Sequence, residues 1–270
     1  MIFTPLMKDD TKGYIQKKLW EISSENNVRI LLAIESGSRA WGFPSKDSDY
    51  DVRFLYARNK DTYLSIKNYR DLIEIPIIHN KMLGVPLDLN GWDIRKALQL
   101  AIKSNPILLE WLTSPIRYIY DQEASDNLLA FTKETVNLRV LHYHYDRLAR
   151  NAWEKIQQDT EQVKFKLYCY ALRPVLALHW ISKYKQPPPM HMEALCPGIL
   201  TDQVLHDEIA NLIKKKFIAN EADMISRSTL LDAYIADILQ NKAERPSDIT
   251  EDTKFIQKAD KVFQHIIRLV

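Results

Sequence analysis

Cysteine and glycine are both scarce in this sequence of 270 residues. Two cysteines cannot build a disulfide framework or a zinc site. Cys169 lies in an apolar helical pattern, so we expect it to be a small core residue. Six glycines are few for this length, which favours a helix-rich protein with few tight turns. The glycines that are present, such as Gly37, therefore carry more information than usual.

Long apolar runs and a strong charge of one sign are also lacking. No apolar run approaches the roughly 18 residues that a membrane-spanning helix needs, and the N-terminus becomes charged too soon for a signal peptide. We therefore expect a cytoplasmic protein with no membrane partner. The net charge of +2 does not favour a strongly basic nucleic-acid binder. Residues 133–185 hold ten Lys or Arg against five Asp or Glu, which indicates a solvated helix face or a lean towards RNA.

The pattern of apolar residues changes near residue 120. Before it, helical and strand periods alternate, and after it helical periods dominate. Strands are predicted over 28–34, 50–56, 72–78, 85–89 and 115–120, with helices over 11–27 and 92–104 and a short one from 106. Helices are predicted again from 125 and over 136–158, 163–185, 202–220, 229–241 and 252–269, with linkers at 185–190 and 243–250. The sequence thus predicts an α+β domain over 1–120 and a helical domain over 121–270.

Two acids, Asp49 and Asp51, flank Tyr50 at the start of a predicted strand. Alternate residues of a strand point to the same face, so both carboxylates are expected side by side. Two close negative charges repel unless a cation compensates them. Mg²⁺ is suited to that role because it prefers oxygen ligands and takes one or two carboxylates together with substrate phosphates. The simpler alternative is an acidic strand start that faces water or an Asx-type turn.

Gly37 and Ser38 directly follow the preceding apolar strand. Glycine allows the sharp turn that points backbone N–H groups and the Ser38 hydroxyl outward, as phosphate ligands do. A plain strand-ending turn remains the alternative for the glycine by itself. A strand, a Gly-Ser turn, a spacer and then D-x-D on the next strand form a composite pattern that is much rarer by chance. This pattern predicts a phosphate-binding turn beside a metal site.

A third acid is expected on a neighbouring strand. Asp88 lies between Leu87 and Leu89, and an ionised Asp in an apolar strand is costly unless it is paired or metal-bound. Asp93 is explained fully as the N-cap of the helix that follows. Asp88 is therefore the better candidate for the site.

The stretches "SGSRAWGF…SDYDVRFLY" and the later strand Asp resemble the nucleotidyltransferase superfamily of DNA polymerase beta. More narrowly, "GSRAWGFPSKDSDYDVRFLY", "DLNGWDIRKALQLAIKSNPILLEWLTSPI" and "KFKLYCYALRPVLALHWI" are similar to the RNA repair pathway DNA polymerase beta family. The similarity covers most of residues 30–185, and the last 85 residues contribute little. It implies a polymerase-beta-like core, a small mixed sheet with helices on one side, followed by a C-terminal helical domain.

The resemblance also implies roles for the motif residues. Gly37 and Ser38 match the family's phosphate-binding turn, and Asp49, Asp51 and Asp88 its catalytic carboxylates. Two Mg²⁺ ions held about 3.5–4 Å apart, with Mn²⁺ as an alternative, would clamp the attacking hydroxyl and the departing pyrophosphate. Asp49 and Asp51 would bridge both ions, and Asp88 would bind the ion nearer the acceptor.

Four further residues are candidates for binding the nucleotide. Arg39 follows the Gly-Ser turn, and Arg53 shares the strand face of Asp51, although a surface residue and a structural ion pair are the respective alternatives. Lys164 and Tyr168 are spaced to share one face of a predicted helix, and a solvated face is the alternative for both. The two histidines of "LHYHYDR", His142 and His144, point apart on a helix, so no metal is expected there.

The expected function is a Mg²⁺-dependent nucleotidyltransferase that moves an NMP from an NTP to a hydroxyl. ATP is the favoured NTP, and RNA is the acceptor that the family name implies. Two alternatives stay open: an inactive nucleotide-binding protein whose helical half binds a partner, and an enzyme that nucleotidylates a protein or a small molecule. The sequence does not distinguish one added nucleotide from a tail, nor does it indicate an oligomeric state.

Overall fold

The computed structural model describes residues 9–158, 161–240, 242–243 and 253–269. The first part of the chain forms α1 (Asp9–Glu25), β1 (Val28–Glu35), α2 (Gly37–Trp41), β2 (Tyr50–Arg58), α3 (Lys60–Tyr63), β3 (Leu72–His79), β4 (Pro86–Asp93), α4 (Ile94–Ile102), α5 (Pro106–Leu112), β5 (Arg117–Tyr120) and α6 (Gln122–Thr135). The remainder forms α7 (Leu138–Gln157), β6 (Gln162–Lys164), α8 (Phe165–Tyr184), α9 (Met192–Leu195), α10 (Gln203–Ile218), β7 (Met224–Ser226), α11 (Thr229–Ile238) and α12 (Thr253–Ile266).

Five strands form one mixed sheet in the order β3-β4-β2-β1-β5. β1 lies antiparallel to both β2 and β5, and β3 lies antiparallel to β4. β2 and β4 are parallel at the centre of the sheet. All five strands predicted from the sequence are present, and the α+β fold class is confirmed.

The two faces of the sheet bury different sets of apolar residues, because alternate residues of a strand point to opposite faces. On β2, Phe54 packs in the core that includes Leu19 of α1, whereas Leu55 packs in the core formed with α4, α5, α6 and α12. Four helices thus cover one face, and α1 covers part of the other.

Among the described residues, the chain divides into two compact units that interleave along the sequence. The sheet unit consists of the described parts of Pro5–Gly37, Asp49–Val136 and Asp248–Val270. The helical unit consists of Ser38–Ser48 together with the described part of Asn137–Ser247. Domains divided at residue 120 stay a prediction, but the compact units are composed differently, with α12 in the sheet unit.

The helical unit is built mainly around α7 and α8. Cys169 of α8 is fully buried, as expected of a core residue. α8 ends at Tyr184, where Lys185 adopts a left-handed backbone conformation, and the linker predicted over 185–190 follows. The linker predicted over 243–250 lies almost wholly outside the described residues. Within the described chain, no helix is long and apolar enough to cross a bilayer.

Local turn and cap chemistry agrees with the sequence in two places. Asp93 is the N-cap of α4, and its carboxylate accepts a 2.8 Å hydrogen bond from the Arg95 N–H, as predicted. In the β3–β4 hairpin, the Gly84 N–H donates to the Asn80 carbonyl at 3.1 Å. Gly84 has a φ of 72°, which explains why glycine occupies this turn.

Gly91 of β4 allows close packing against β2. A Cβ at this position would lie 2.0 Å from Cε2 of the fully buried Phe54. We expect Gly91→Ala to destabilise the protein by about 1–3 kcal/mol because Phe54 must leave its position. Gly13→Ala is the control, since nothing lies within 4 Å of the added methyl group on α1. It should be neutral or stabilising by up to about 1 kcal/mol. Urea unfolding measures both, and equal free energies of unfolding for the two variants would contradict the packing described.

Candidate functional site

The turn after β1 places glycine against a candidate catalytic carboxylate. Gly37 begins α2 with a φ of 59°, a backbone conformation that favours glycine. A Cβ on Gly37 would lie 2.0 Å from Oδ2 of Asp51. The Ser36 N–H donates to the Asp51 carbonyl at 2.8 Å, which holds the turn against the start of β2. Backbone conformation and close contact both therefore require glycine here.

Asp51 and Asp88 are direct partners in the parallel ladder of β2 and β4. Because they share one register position, their side chains emerge on the same face of the sheet. Both carboxylates are partly accessible, with side-chain exposures of 31% and 28%. The structure thus brings together two of the three acids selected from the sequence, although 37 positions separate them along the chain.

Arg53 joins these two carboxylates. Its Nη2 lies 3.2 Å from Asp51 Oδ1 and 2.8 Å from Asp88 Oδ2. The Asn90 amide also donates to Asp88 Oδ1 at 2.6 Å. Arg53 lies two residues beyond Asp51 on the same strand face, as predicted, and its positive charge offsets the repulsion between the two carboxylates. The contacts are those of the structural ion pair that the sequence left open as an alternative.

Asp49 lies outside the ladder. It is exposed and precedes β2, which begins at Tyr50. Among the described residues, no group of three or more His, Cys, Asp or Glu side chains is arranged to hold a metal ion. The donor chemistry of Asp51 and Asp88 nevertheless fits a hard divalent cation, because Mg²⁺ commonly takes only one or two protein carboxylates. The pair fits one such ion, and the arrangement of three shared carboxylates stays a prediction.

Glu35 is a site residue that the sequence reasoning missed. It is fully buried at the end of β1. Its Oε1 accepts a 2.8 Å hydrogen bond from the Asp51 N–H, and its Oε2 accepts a 2.5 Å hydrogen bond from the Tyr118 hydroxyl. Glu35 therefore fixes the backbone of Asp51. The signal was present as an acid that ends an otherwise apolar strand, immediately before the Ser-Gly-Ser turn.

Ser38 and Arg39, which belong to the helical unit, are engaged within it. Ser38 is 6% exposed, and its carbonyl accepts a 2.9 Å hydrogen bond from the Phe43 N–H. Arg39 donates from Nη2 to the Ser48 carbonyl at 2.6 Å. These contacts close the 38–48 segment into a compact loop. Their roles as phosphate ligands stay predictions.

Lys164 and Tyr168 do not share a helix face, so that prediction is wrong. Lys164 lies in β6 and precedes α8, which begins at Phe165. Tyr168 is fully buried, donates a 2.7 Å hydrogen bond to Asp232 Oδ1 and accepts one from the Ser228 N–H. Burial, assisted by the hydrogen bond to Asp232, raises the pKa of Tyr168 to about 12. These contacts favour a structural role for Tyr168.

Comparison with known proteins identifies the family to which this chain belongs. Residues 11–265 match the RNA repair pathway DNA polymerase beta family, and the chain belongs to that family. It is 39% identical over 243 residues to the uncharacterized protein YcgL of Bacillus subtilis (strain 168), covering 90% of this chain and 91% of that protein. A solved nucleotidyltransferase-like protein from Exiguobacterium sibiricum 255-15 is 12% identical, with a TM-score of 0.31 and coverage of 95% of this chain and 80% of that one.

The buried contacts of Glu35 predict a large loss of stability on its removal. Glu35→Ala would leave the Asp51 N–H and the Tyr118 hydroxyl without their acceptor, which should cost about 2 kcal/mol or more. In a double-mutant cycle with Tyr118→Phe, the free energies of unfolding should be non-additive by about 1 kcal/mol. Glu74→Ala, an exposed carboxylate paired with Arg70, is the control and should change stability by less than about 0.5 kcal/mol. Additive free energies in the cycle would contradict a direct link between Glu35 and Tyr118.

Proposed function

We propose that this protein transfers a nucleoside monophosphate from an NTP to a hydroxyl group, with release of pyrophosphate. ATP is the favoured donor, and RNA is the favoured acceptor. The family description links the chain to RNA repair and to the polymerase beta class of nucleotidyltransferases. The choice of RNA rests on that description, and the local basic excess of residues 133–185 supports it only weakly.

The observation that carries the proposal is the in-register pair of Asp51 and Asp88 on adjacent parallel strands. Two hydrogen-bonded carboxylates at strand ends, next to a glycine turn, suit the chemistry of phosphoryl transfer, in which the protein mainly positions groups and neutralises charge. The turn at Gly37 directly contacts one member of the pair.

The chain's own residues would divide the work as follows. Asp51 and Asp88 would hold a divalent cation, with Asp49 available from the segment before β2. When bound, Mg²⁺ or Mn²⁺ supplies Lewis-acid activation of the attacking hydroxyl and charge neutralisation of the phosphates. Glu35 keeps the backbone of Asp51 in place. Arg53 would release the carboxylates and bind the triphosphate, for which its planar set of donors is well suited.

A second candidate function, nucleotide binding without transfer, is favoured by one observation. Arg53 already satisfies both carboxylates, and such a neutralised pair does not need a metal ion. In that case the chain would bind NTP and respond to it without forming a product. Nucleotidylation of a protein or a small molecule has no observation of its own in its favour, and it remains one outcome of the test below.

The test is incubation of the full chain with each α-³²P-labelled NTP and Mg²⁺ or Mn²⁺, in the presence of separate pools of RNA, protein and small-molecule acceptors. We expect label in RNA from ATP. Asp51→Asn and Asp88→Asn should lower the rate by about 100-fold or more, because each removes a negative charge that would hold the divalent cation. Asp61→Asn, an exposed acid on α3, is the matched control and should retain the wild-type rate.

The outcomes separate the candidates. Label in protein or in a small molecule keeps the transfer reaction but changes the acceptor. NTP binding without label in any pool would support the non-catalytic alternative. Equal rates in wild type, Asp51→Asn and Asp88→Asn would show that the carboxylate pair is not the reaction centre.

A further inference from the structure

A polar cavity lies at the opposite end of β2 and β4 from the carboxylate pair. Arg58 ends β2 seven residues after Asp51, which corresponds to about 23 Å along a strand. In β4, Asp93 lies at the same end, in register with Tyr56. The cavity has a volume of about 350 Å³, which is within the range of small-ligand sites. None of its lining residues takes part in the proposed transfer reaction.

The lining is strongly basic. Five Lys or Arg residues face two acids. The basic residues are Arg58, Lys67, Arg70, Arg95 and Lys96, and the acids are Asp71 and Asp93. Such an excess of cationic donors around one cavity attracts an anion.

Within the described ranges, two of these five cations lack acidic partners, because Arg70 pairs with Glu74, Lys96 pairs with Asp71 and Arg58 lies near Asp93. Lys67 and Arg95 have no carboxylate within 4 Å among the residues that the structure describes, and both are exposed. Arg58 is 12% exposed, and its Nε is 3.9 Å from Asp93. That Nε is buried and has no hydrogen-bond partner in the described chain. A buried guanidinium N–H without an acceptor is costly, and an anion in the cavity would supply one once the Arg58 side chain turns towards it.

Aromatic rings lie among the cations. Arg58 and Lys67 lie 5.2 and 4.9 Å from the centroid of the Tyr69 ring, and Arg95 lies 5.0 Å from that of Tyr63. The Tyr69 residue is 44% exposed, and a base that stacks on its ring would take the place of one of these cations. Basic side chains interleaved with exposed aromatic rings are the usual means of binding a nucleotide, because the cations take the phosphate and the rings take the base.

From these contacts we propose that this cavity is a second binding site for a nucleotide phosphate, separate from the carboxylate pair. Lys67, Arg95 and the Arg58 guanidinium bind the phosphate, and Tyr69 stacks on the base. The ligand is a nucleotide, either free or as a unit of a single-stranded nucleic acid. This binding requires neither a metal ion nor the transfer reaction, so it is independent of the proposed function.

The test measures binding by the full chain in EDTA, without NTP, so that no transfer occurs. The probes are a fluorescent single-stranded oligoribonucleotide, AMP and inorganic phosphate. Lys67→Ala/Arg95→Ala should weaken oligoribonucleotide or AMP binding at least tenfold. For the oligonucleotide, it should also lower the slope of log affinity against log salt by about 1.4. Lys103→Ala/Lys133→Ala removes the same charge from exposed positions of the same unit and should change affinity less than twofold.

Tyr69→Ala tests the base-stacking part of the proposal. It should weaken binding of AMP and of the oligoribonucleotide by about fivefold or more, without changing the affinity for inorganic phosphate. Trp20→Ala removes another exposed aromatic side chain of the same unit and should have no effect. Binding of AMP alone identifies a free nucleotide as the ligand, and binding of the oligoribonucleotide alone identifies a strand.

Two results would overturn the proposal. One is an equal loss of affinity in Lys67→Ala/Arg95→Ala and in Lys103→Ala/Lys133→Ala, since that would reflect net charge and not a site. The other is binding of inorganic phosphate only, with no effect of Tyr69→Ala, since that would remove the nucleotide from the assignment.

Discussion

The contact of Arg53 with Asp51 and Asp88 is the interaction on which the candidate site depends. It exists because β2 and β4 run parallel in a register that makes the two acids direct neighbours. Without a nearby cation the two carboxylates would repel each other, and the Arg53 guanidinium offsets that repulsion. The same two carboxylates could bind a divalent cation only if Arg53 released at least one of its contacts with them. In the proposed function, a divalent cation would therefore compete with Arg53 for the two carboxylates.

Several neighbouring residues hold Asp51 in place. Glu35 accepts hydrogen bonds from the Asp51 N–H and from the Tyr118 hydroxyl. The Ser36 N–H donates to the Asp51 carbonyl, and Gly37 lies against the Asp51 carboxylate. Such support from buried neighbours is what holds a catalytic group in place while a substrate binds. Phe54 and Gly91, also in register on β2 and β4, fix the distance between the same two strands further along. The sheet thus positions the pair through packing as well as through hydrogen bonds.

Much of this could be read from the sequence, because strands, caps and turns are encoded locally. The five strands and the Asp93 cap follow from apolar periodicity and from a capping residue with few alternative uses. The nearness of Asp88 to Asp51 is indicated by an acid in an apolar strand and by the family resemblance, but not by local periodicity, since register between distant strands is set by the whole sheet. Glu35 was missed because its partners lie 16 and 83 positions away. Lys164 was misplaced because a three-residue strand gives no periodicity to detect.

The two ends of β2 and β4 carry different chemistry. One end has carboxylates and suits a metal ion, and the other has guanidinium and ammonium groups and suits phosphate.

The measurement that tests the central claim most directly is Mn²⁺ binding to the full chain, followed by electron paramagnetic resonance. We expect a stoichiometric Mn²⁺ site in the wild type. Its affinity should fall at least tenfold in Asp51→Asn and in Asp88→Asn and rise in Arg53→Met, because the competing guanidinium is removed. Mn²⁺ binding that is absent from the wild type and from Arg53→Met, or that is unchanged in both Asp variants, would contradict it.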